Sequence, residues 1–349
     1  MKAGILTYHD ADNYGAVLQA YALQQSLKKL ACGSELIAFN YAPVKEGSSP
    51  LIRKMQQKAL ERHARFDDFR HRHLSISQRY DMDNPAGLND SYAFFICGSD
   101  QVWNPLLPDF HMNYFLSFAS PAKRYSYAAS FGADSFPDAY AAQAKELLSG
   151  FQAISFREKS ALPLVRELAG CEASVNLDPV LLLKREDWNP IIPEGEDNCV
   201  FLYQLAHDSD MEANALQYAE EHGKKLKVVT GFALSRFGFE AYSGYGPCDW
   251  LSAIAHADAV FTNSFHGAAF ALLYGRPLYL SALQGNLAAR NTRLFNLLEL
   301  AGLSYPGAAA PIMCGAPEFA EAIRTARDES IAYLNRIVRA HSDNQEVRG

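Results

Sequence analysis

Residues 258–280 read DAVFTNSFHGAAFALLYGRPLYL. The run 258–262 (DAVFT) has the length and composition of a buried strand. A polar knot follows, Asn263-Ser264-Phe265-His266-Gly267. Residues 266–274 then read as a helix, and 277–280 (PLYL) as the next strand. Strand, helix, strand is a βαβ unit, and it demands a parallel sheet.

The same alternation extends in both directions. Upstream, 3–7 (AGILT) reads as a strand and 14–30 as a helix with Val17, Leu18, Tyr21, Leu27 and Leu30 on one face. Asn13 suits the N-cap of that helix. Strands are expected at 35–39, 93–97, 124–130, 152–155 and 174–177, and helices at 51–72 and 158–169. The polar run 184–198 (KREDWNPIIPEGEDN) breaks the pattern and reads as a linker. After it come strands at 199–204, 225–230 and 258–262, helices at 209–222, 248–256 and 291–301, and a helical tail at 316–341. The expected fold class is α/β. Two Rossmann-like doubly wound domains, residues 1–185 and 197–305, would face a cleft, and 306–349 would form a C-terminal helical tail.

Composition narrows the function classes. The chain has 349 residues, 49% hydrophobic and 20% charged, which fits well-packed globular domains. Its net charge of −7 disfavours a nucleic-acid binder. Six scattered cysteines without a CxxC pair read as reduced thiols. No apolar run approaches the ~18 residues of a transmembrane span, and Arg276 interrupts the best one. The opening apolar run is too short for a signal peptide. The expected setting is cytoplasmic, compatible with peripheral contact at the inner face of the membrane. Walker A, GxGxxG, GxSxG and HExxH patterns do not occur.

Ligands of open parallel sheets bind beyond the carboxyl ends of the strands. Three polar knots fall there: His9–Gly15, Gly98–Asn104 and Asn263–Gly267. In the third, Ser264, His266 and Gly267 open a helix, whose free N–H groups attract anions. Ser264 could equally be only an N-cap, with His266 packed or facing solvent. Asp100 could orient or deprotonate a hydroxyl, or merely cap a turn. In the first knot Asp10, Asp12 and Asn13 could hold a sugar or metal, although a capping loop is the plainer reading, with Gly15 allowing close packing. Arg157, Arg236, Arg290 and Arg293 are possible anion ligands or ordinary surface charges. RHRH at 70–73 reads as a solvated face.

An ordered series of motifs goes further: GILTYHDADNYGAVLQAYALQ, FICGSDQVWNP, SYAASFG, FREKS, LDPVLLL, VFTNSFHGAAFALLYGRPL and NTRLFNLLELAGL. Together they resemble the bacterial polysaccharide pyruvyl transferase family over about residues 1–305. The resemblance implies a GT-B-like fold and transfer of a pyruvyl group from phosphoenolpyruvate to sugar hydroxyls, usually as a cyclic ketal. The partners it implies are phosphoenolpyruvate and a saccharide acceptor of a capsule, exopolysaccharide or cell-wall polymer, free or lipid-linked. No cofactor or metal is expected, and a homo-oligomer is compatible. On that reading His266 is the general acid and Asp100 the base or acceptor-orienting group. Arg157, Arg290 and Arg293 would clamp phosphate and carboxylate. Asn13, Gly15, Ser99, Gln101, Asn263, Ser264 and Gly267 would line the substrate site. Two other readings fit the same cleft: a nucleotide-sugar glycosyltransferase, and a non-catalytic saccharide- or anion-binding protein.

Overall fold

The computed structural model describes residues 1–40, 50–133, 135–195, 198–232 and 236–346. The first half carries strands β1 (Lys2–Leu6), β2 (Gly33–Phe39), β3 (Ile76–Tyr80), β4 (Phe94–Cys97), β5 (Arg124–Ser126), β6 (Ser155–Phe156) and β7 (Ser174–Val175). Its helices are α1 (Tyr14–Lys29), α2 (Pro50–His73), α3 (Leu88–Ser91), α4 (Asp138–Leu148) and α5 (Ala161–Ala169). After α6 (Arg185–Trp188) come strands β8 (Cys199–Gln204), β9 (Lys225–Thr230), β10 (Ala257–Thr262) and β11 (Leu278–Leu280). They alternate with α7 (Ser209–Glu221), α8 (Phe239–Ser243), α9 (Pro247–Ala255), α10 (Phe265–Leu273) and α11 (Asn291–Leu300). Helices α12 (Ala316–Ala322) and α13 (Arg324–Glu346) follow.

The first sheet has the order β3-β2-β1-β4-β5 and is parallel throughout. That is the Rossmann order, and its direction reverses between β1 and β4. Single parallel bridges join its edge to β6, which pairs with β7. The second sheet, β9-β8-β10-β11, is also parallel and reverses between β8 and β10. The fold is therefore α/β, with two Rossmann-like halves and a C-terminal helix. In each half the crevice that this topology reserves for ligands lies at the reversal.

The halves share one apolar core. Tyr14 and Val17 of α1 pack with Phe201, Trp250 and Phe270 of the second half. The Tyr14 and Trp250 rings stack at 5.2 Å, and the Tyr14 hydroxyl donates to the Tyr245 carbonyl at 2.8 Å. The stretch 184–198, expected as a linker, is partly core: Trp188 and Ile191 are buried in the same cluster. The two apolar side chains outweigh the polar residues around them; 196 and 197 lie outside the described residues.

The tail does not stay with the second half. Helix α13 returns to the first sheet, where Leu334, Ile337 and Val338 pack on Ile5, Phe94 and Ile96. The Tyr333 hydroxyl donates to the Ser126 carbonyl at 2.8 Å. The RHRH segment, in the last turn of α2, is a solvated face only in part: His71 and Arg72 are exposed, whereas Arg70 is buried, donating to the carbonyls of His9 and Asp10 and to Asp12. Its long stem and five donors can satisfy a buried loop backbone, which composition alone does not reveal. All six cysteines are free thiols. Among the described residues no helix is long and apolar enough to cross a membrane.

The return of α13 sets a test. Leu334 is fully buried under that helix. Leu334→Ala is expected to cost about 2–5 kcal/mol, read as a lowered urea midpoint at unchanged m-value.

Candidate active site

The loops after β1, β4, β8 and β10, the strands at the two reversals, converge on one cleft. Asn13, Asp100, Gln101, Leu205, Asn263, Ser264, Phe265 and His266 line it, joined by Leu283, Asn291, Arg293 and Leu294. Its volume is about 580 Å3, counting the open mouth. Ser264 caps α10, its hydroxyl accepting from the Gly267 N–H at 3.3 Å. Asn13 caps α1 in the same way, accepting from Ala16 at 3.1 Å. Two helix starts, one from each half, thus flank the cleft.

His266 depends on a close approach between the halves. A Cβ at Gly15 would overlap its ring, so only glycine lets α1 approach α10 this closely. The other face of the knot rests on strand β10: a Cβ on Gly267 would stand 2.6 Å from the Thr262 hydroxyl. His266 Nε2 lies 3.4 Å from Asp178 Oδ2. The pair is close enough for charge interaction but is not aligned as a hydrogen bond.

Asp178 is the centre of a buried charge cluster. Its side chain is 0% exposed, and Arg157 Nη1 donates to Oδ2 at 2.6 Å. Val180 N–H donates to its other oxygen at 3.1 Å. Burial alone would raise its pKa, but the His266 ring and the Arg157 guanidinium outweigh burial and hold it well below the usual carboxylate range. Arg157 also reaches Asp100, with Nη2 3.4 Å from Oδ1, and lies over the Phe265 ring. Asp100 is likewise held low: burial opposes ionisation, and Arg157, His266 and Arg293 favour it. Its backbone is left-handed, φ 78°, and its side chain turns back to accept from the Gln101 N–H at 2.8 Å. A non-glycine residue held there costs energy, and such strain gathers at working sites.

Arg293 differs from Arg157. It lines the cleft from the first turn of α11 and makes no hydrogen bond or ion pair with a described residue. Burial and the neighbouring Arg157 charge push its pKa down to about 10, so it stays a cation at neutral pH. Near it Glu158 is buried, with no hydrogen-bond partner for Oε2 among the described residues; burial raises its pKa against the pull of Arg157, Arg293, the Ser130 hydroxyl and the Phe131 N–H.

The expected residues therefore separate by position. Asp100, Gln101, Asn13, Asn263, Ser264, His266 and Arg293 line the cleft. Gly15 and Gly267 pack behind it. Arg157 is not an open anion clamp, because two carboxylates already occupy its guanidinium. Asn263 lines the wall but has both ends of its amide engaged, accepting from Leu205 N–H and donating to the Ala206 carbonyl. Ser99 is fully buried and donates to the Ala128 carbonyl, away from the cleft lining. Arg236 sits 3.3 Å from the buried Glu212 instead of facing the cleft. The side chain of Arg290 lies outside the described residues. Asp10 and Asp12 pair with Arg79 and Arg70. Sequence reasoning missed Asp178, Glu158 and Asn291, although each stands inside a motif of the quoted series.

A family model described as polysaccharide pyruvyl transferase matches residues 13–282. The chain belongs to the polysaccharide pyruvyl transferase family. The match takes in both helix starts and the Arg157–Asp178–His266 cluster, while Arg293 falls beyond it. No curated protein matches the chain. Solved structures give distant likenesses. The UDP-GlcNAc 2-epimerase of Neisseria meningitidis is 10% identical at a TM-score of 0.49, covering 99% of this chain and 100% of the other. A putative UDP-N-acetylglucosamine 2-epimerase of Listeria monocytogenes is 12% identical at a TM-score of 0.47, covering 95% and 90%.

Two outcomes follow for this pyruvyl transferase family member. Gly15→Ala is expected to displace the His266 ring and to lower the melting temperature, with an unchanged circular dichroism spectrum. An unchanged melting temperature in that variant contradicts the packing described. Asp178→Asn removes one partner of a buried ion pair and is expected to cost about 3–5 kcal/mol at neutral pH. Because the native carboxyl is held low, that stability is present above the ordinary value of about 3.9 and fades only as pH falls below it. Urea unfolding of both proteins at neutral and acid pH reads the difference.

Proposed function

We propose that the protein transfers the pyruvyl group of phosphoenolpyruvate to two hydroxyls of a saccharide, free or lipid-linked, in making a bacterial polysaccharide. The product is a cyclic ketal, and phosphate leaves. The observation that carries this reading is Arg293, a guanidinium without an ion-pair partner among the described residues, in the cleft that also holds a capped helix start. A small donor with a phosphate and a carboxylate matches those two anion sites, since a guanidinium binds either group in a bidentate manner and a helix start favours phosphate.

The rest of the cleft has roles in that chemistry. The methylene carbon of the donor must gain a proton, leaving C2 electrophilic. His266, oriented by Asp178 and braced by Gly15, is the proposed proton source. The first sugar hydroxyl attacks C2 and gives its proton to Asp100, whose carboxylate is held ionised beside Arg157 until that transfer. The second hydroxyl closes the ring as the C2–phosphate bond breaks. In balance, one hydroxyl proton replaces the one that built the methyl group, and the other leaves with phosphate. Gln101 and Asn13 border the acceptor side. The steps need no metal, and a cytoplasmic setting, with or without peripheral contact to the inner membrane face, belongs to the same proposal.

Phosphate release from phosphoenolpyruvate in the presence of a panel of galactosides tests it. His266→Ala is expected to lower turnover by about 100-fold or more while the fold survives. Arg293→Ala is expected to raise the KM for phosphoenolpyruvate far more than that for the acceptor. Full turnover in His266→Ala removes that residue from the chemistry. Thermal stabilisation by a nucleoside diphosphate but not by phosphoenolpyruvate would replace the reading with a glycosyltransferase.

A further inference from the structure

The charge cluster holds one carboxyl too many. Arg157 and Arg293 are its guanidinium groups, and Asp100, Asp178 and Glu158 are its carboxyls. Asp100 and Asp178 are each in ion-pair contact with Arg157. Glu158 makes no ion pair with a described residue, is 6% exposed, and has Oε2 buried without a hydrogen-bond partner. It follows Arg157 directly after β6, in a loop beside the cleft cluster. An ionised carboxylate buried without an ion-pair partner is costly, and the Ser130 hydroxyl and Phe131 N–H beside it offset only part of that cost, so the neutral acid is the form that fits this position. Other charged groups of the neighbourhood are Lys159, exposed on the same loop, and His266 on α10.

The count bears on the anion that enters the cleft. With Glu158 ionised the three carboxylates cancel the two guanidiniums and the His266 imidazolium that the donor reading requires, and the cluster offers a phosphate no net positive charge. With Glu158 neutral the two guanidiniums and the imidazolium exceed the two remaining carboxylates by one charge, and that excess attracts the anion. We infer that Glu158 is a positioning residue that carries a proton when a phosphate-bearing anion occupies the cleft, so that anion binding is linked to that proton. The inference rests on the donor reading above and adds a residue to it. Burial raises the Glu158 pKa, with Arg157, Arg293, the Ser130 hydroxyl and the Phe131 N–H only partly opposing. A group whose pKa is raised in this way ionises as pH rises through the raised value, and affinity for an anion falls from there upward.

Calorimetric titration of inorganic phosphate and of phosphoenolpyruvate into the whole protein and its Glu158→Gln variant, from acid to alkaline pH, tests this. The native affinity is expected to fall more steeply with pH than that of Glu158→Gln, the excess approaching about tenfold per pH unit for one linked proton. At alkaline pH the variant, with a permanently neutral amide, is expected to bind the more tightly. Equal pH slopes overturn the inference and leave the donor reading intact. Failure of the native protein to bind either anion overturns both. Should Glu158→Gln not fold, the infrared carbonyl band of a protonated carboxyl in the native protein reads the same proton. Its growth on adding phosphate at alkaline pH supports the link, and its absence refutes it.

Discussion

Everything at this cleft hangs on one buried ion pair, Arg157 with Asp178 at 2.6 Å. Each partner alone would be expensive to bury; together they anchor loops from three parts of the chain. Through Asp178 the pair reaches His266 on the second half, and through the other arm of Arg157 it reaches Asp100 on the first. Gly15 completes the arrangement by giving the His266 ring room against α1. The chemistry-bearing side chains are therefore held by charge on one side and by steric fit on the other.

Much of the fold was legible in the sequence, because βαβ units advertise themselves by short apolar strands and helical periodicity. The strand–knot–helix reading at 258–280 matches β10, α10 and β11 to within a residue or two. Strand β3 was not read: ISQRY is a half-exposed edge strand, with too little apolar alternation to stand out. Helix α4 was also missed, its alanine-rich face burying only Ala144 and Leu148. The return of α13 to the first sheet was invisible for a different reason. Periodicity says which face of a helix is apolar but not which surface it meets.

The site was legible in outline and not in its division of labour. Polar residues after predicted strands marked Asn13, Asp100, Gln101, Asn263 and His266, since strand ends at a sheet reversal are where ligands meet the chain. Arg157 and Arg293 were equivalent in sequence. Folding separates them, engaging the first with two carboxylates and leaving the second facing the cleft. Asp178 and Glu158 passed unnoticed because their significance is non-local: it depends on cations supplied from distant parts of the chain. Arg236, open in sequence to either a ligand or a surface role, stands beside the buried Glu212 in the fold.

The central claim is that the start of α10, His266 and Arg293 form one donor site for phosphoenolpyruvate. A crystal structure of the protein with phosphoenolpyruvate tests it most directly. The expected result puts one anionic group of the donor on the α10 N–H groups, the other on Arg293, and the methylene carbon within reach of the His266 ring. Donor density away from this cleft, or in it without contact to Arg293 and His266, would contradict the claim.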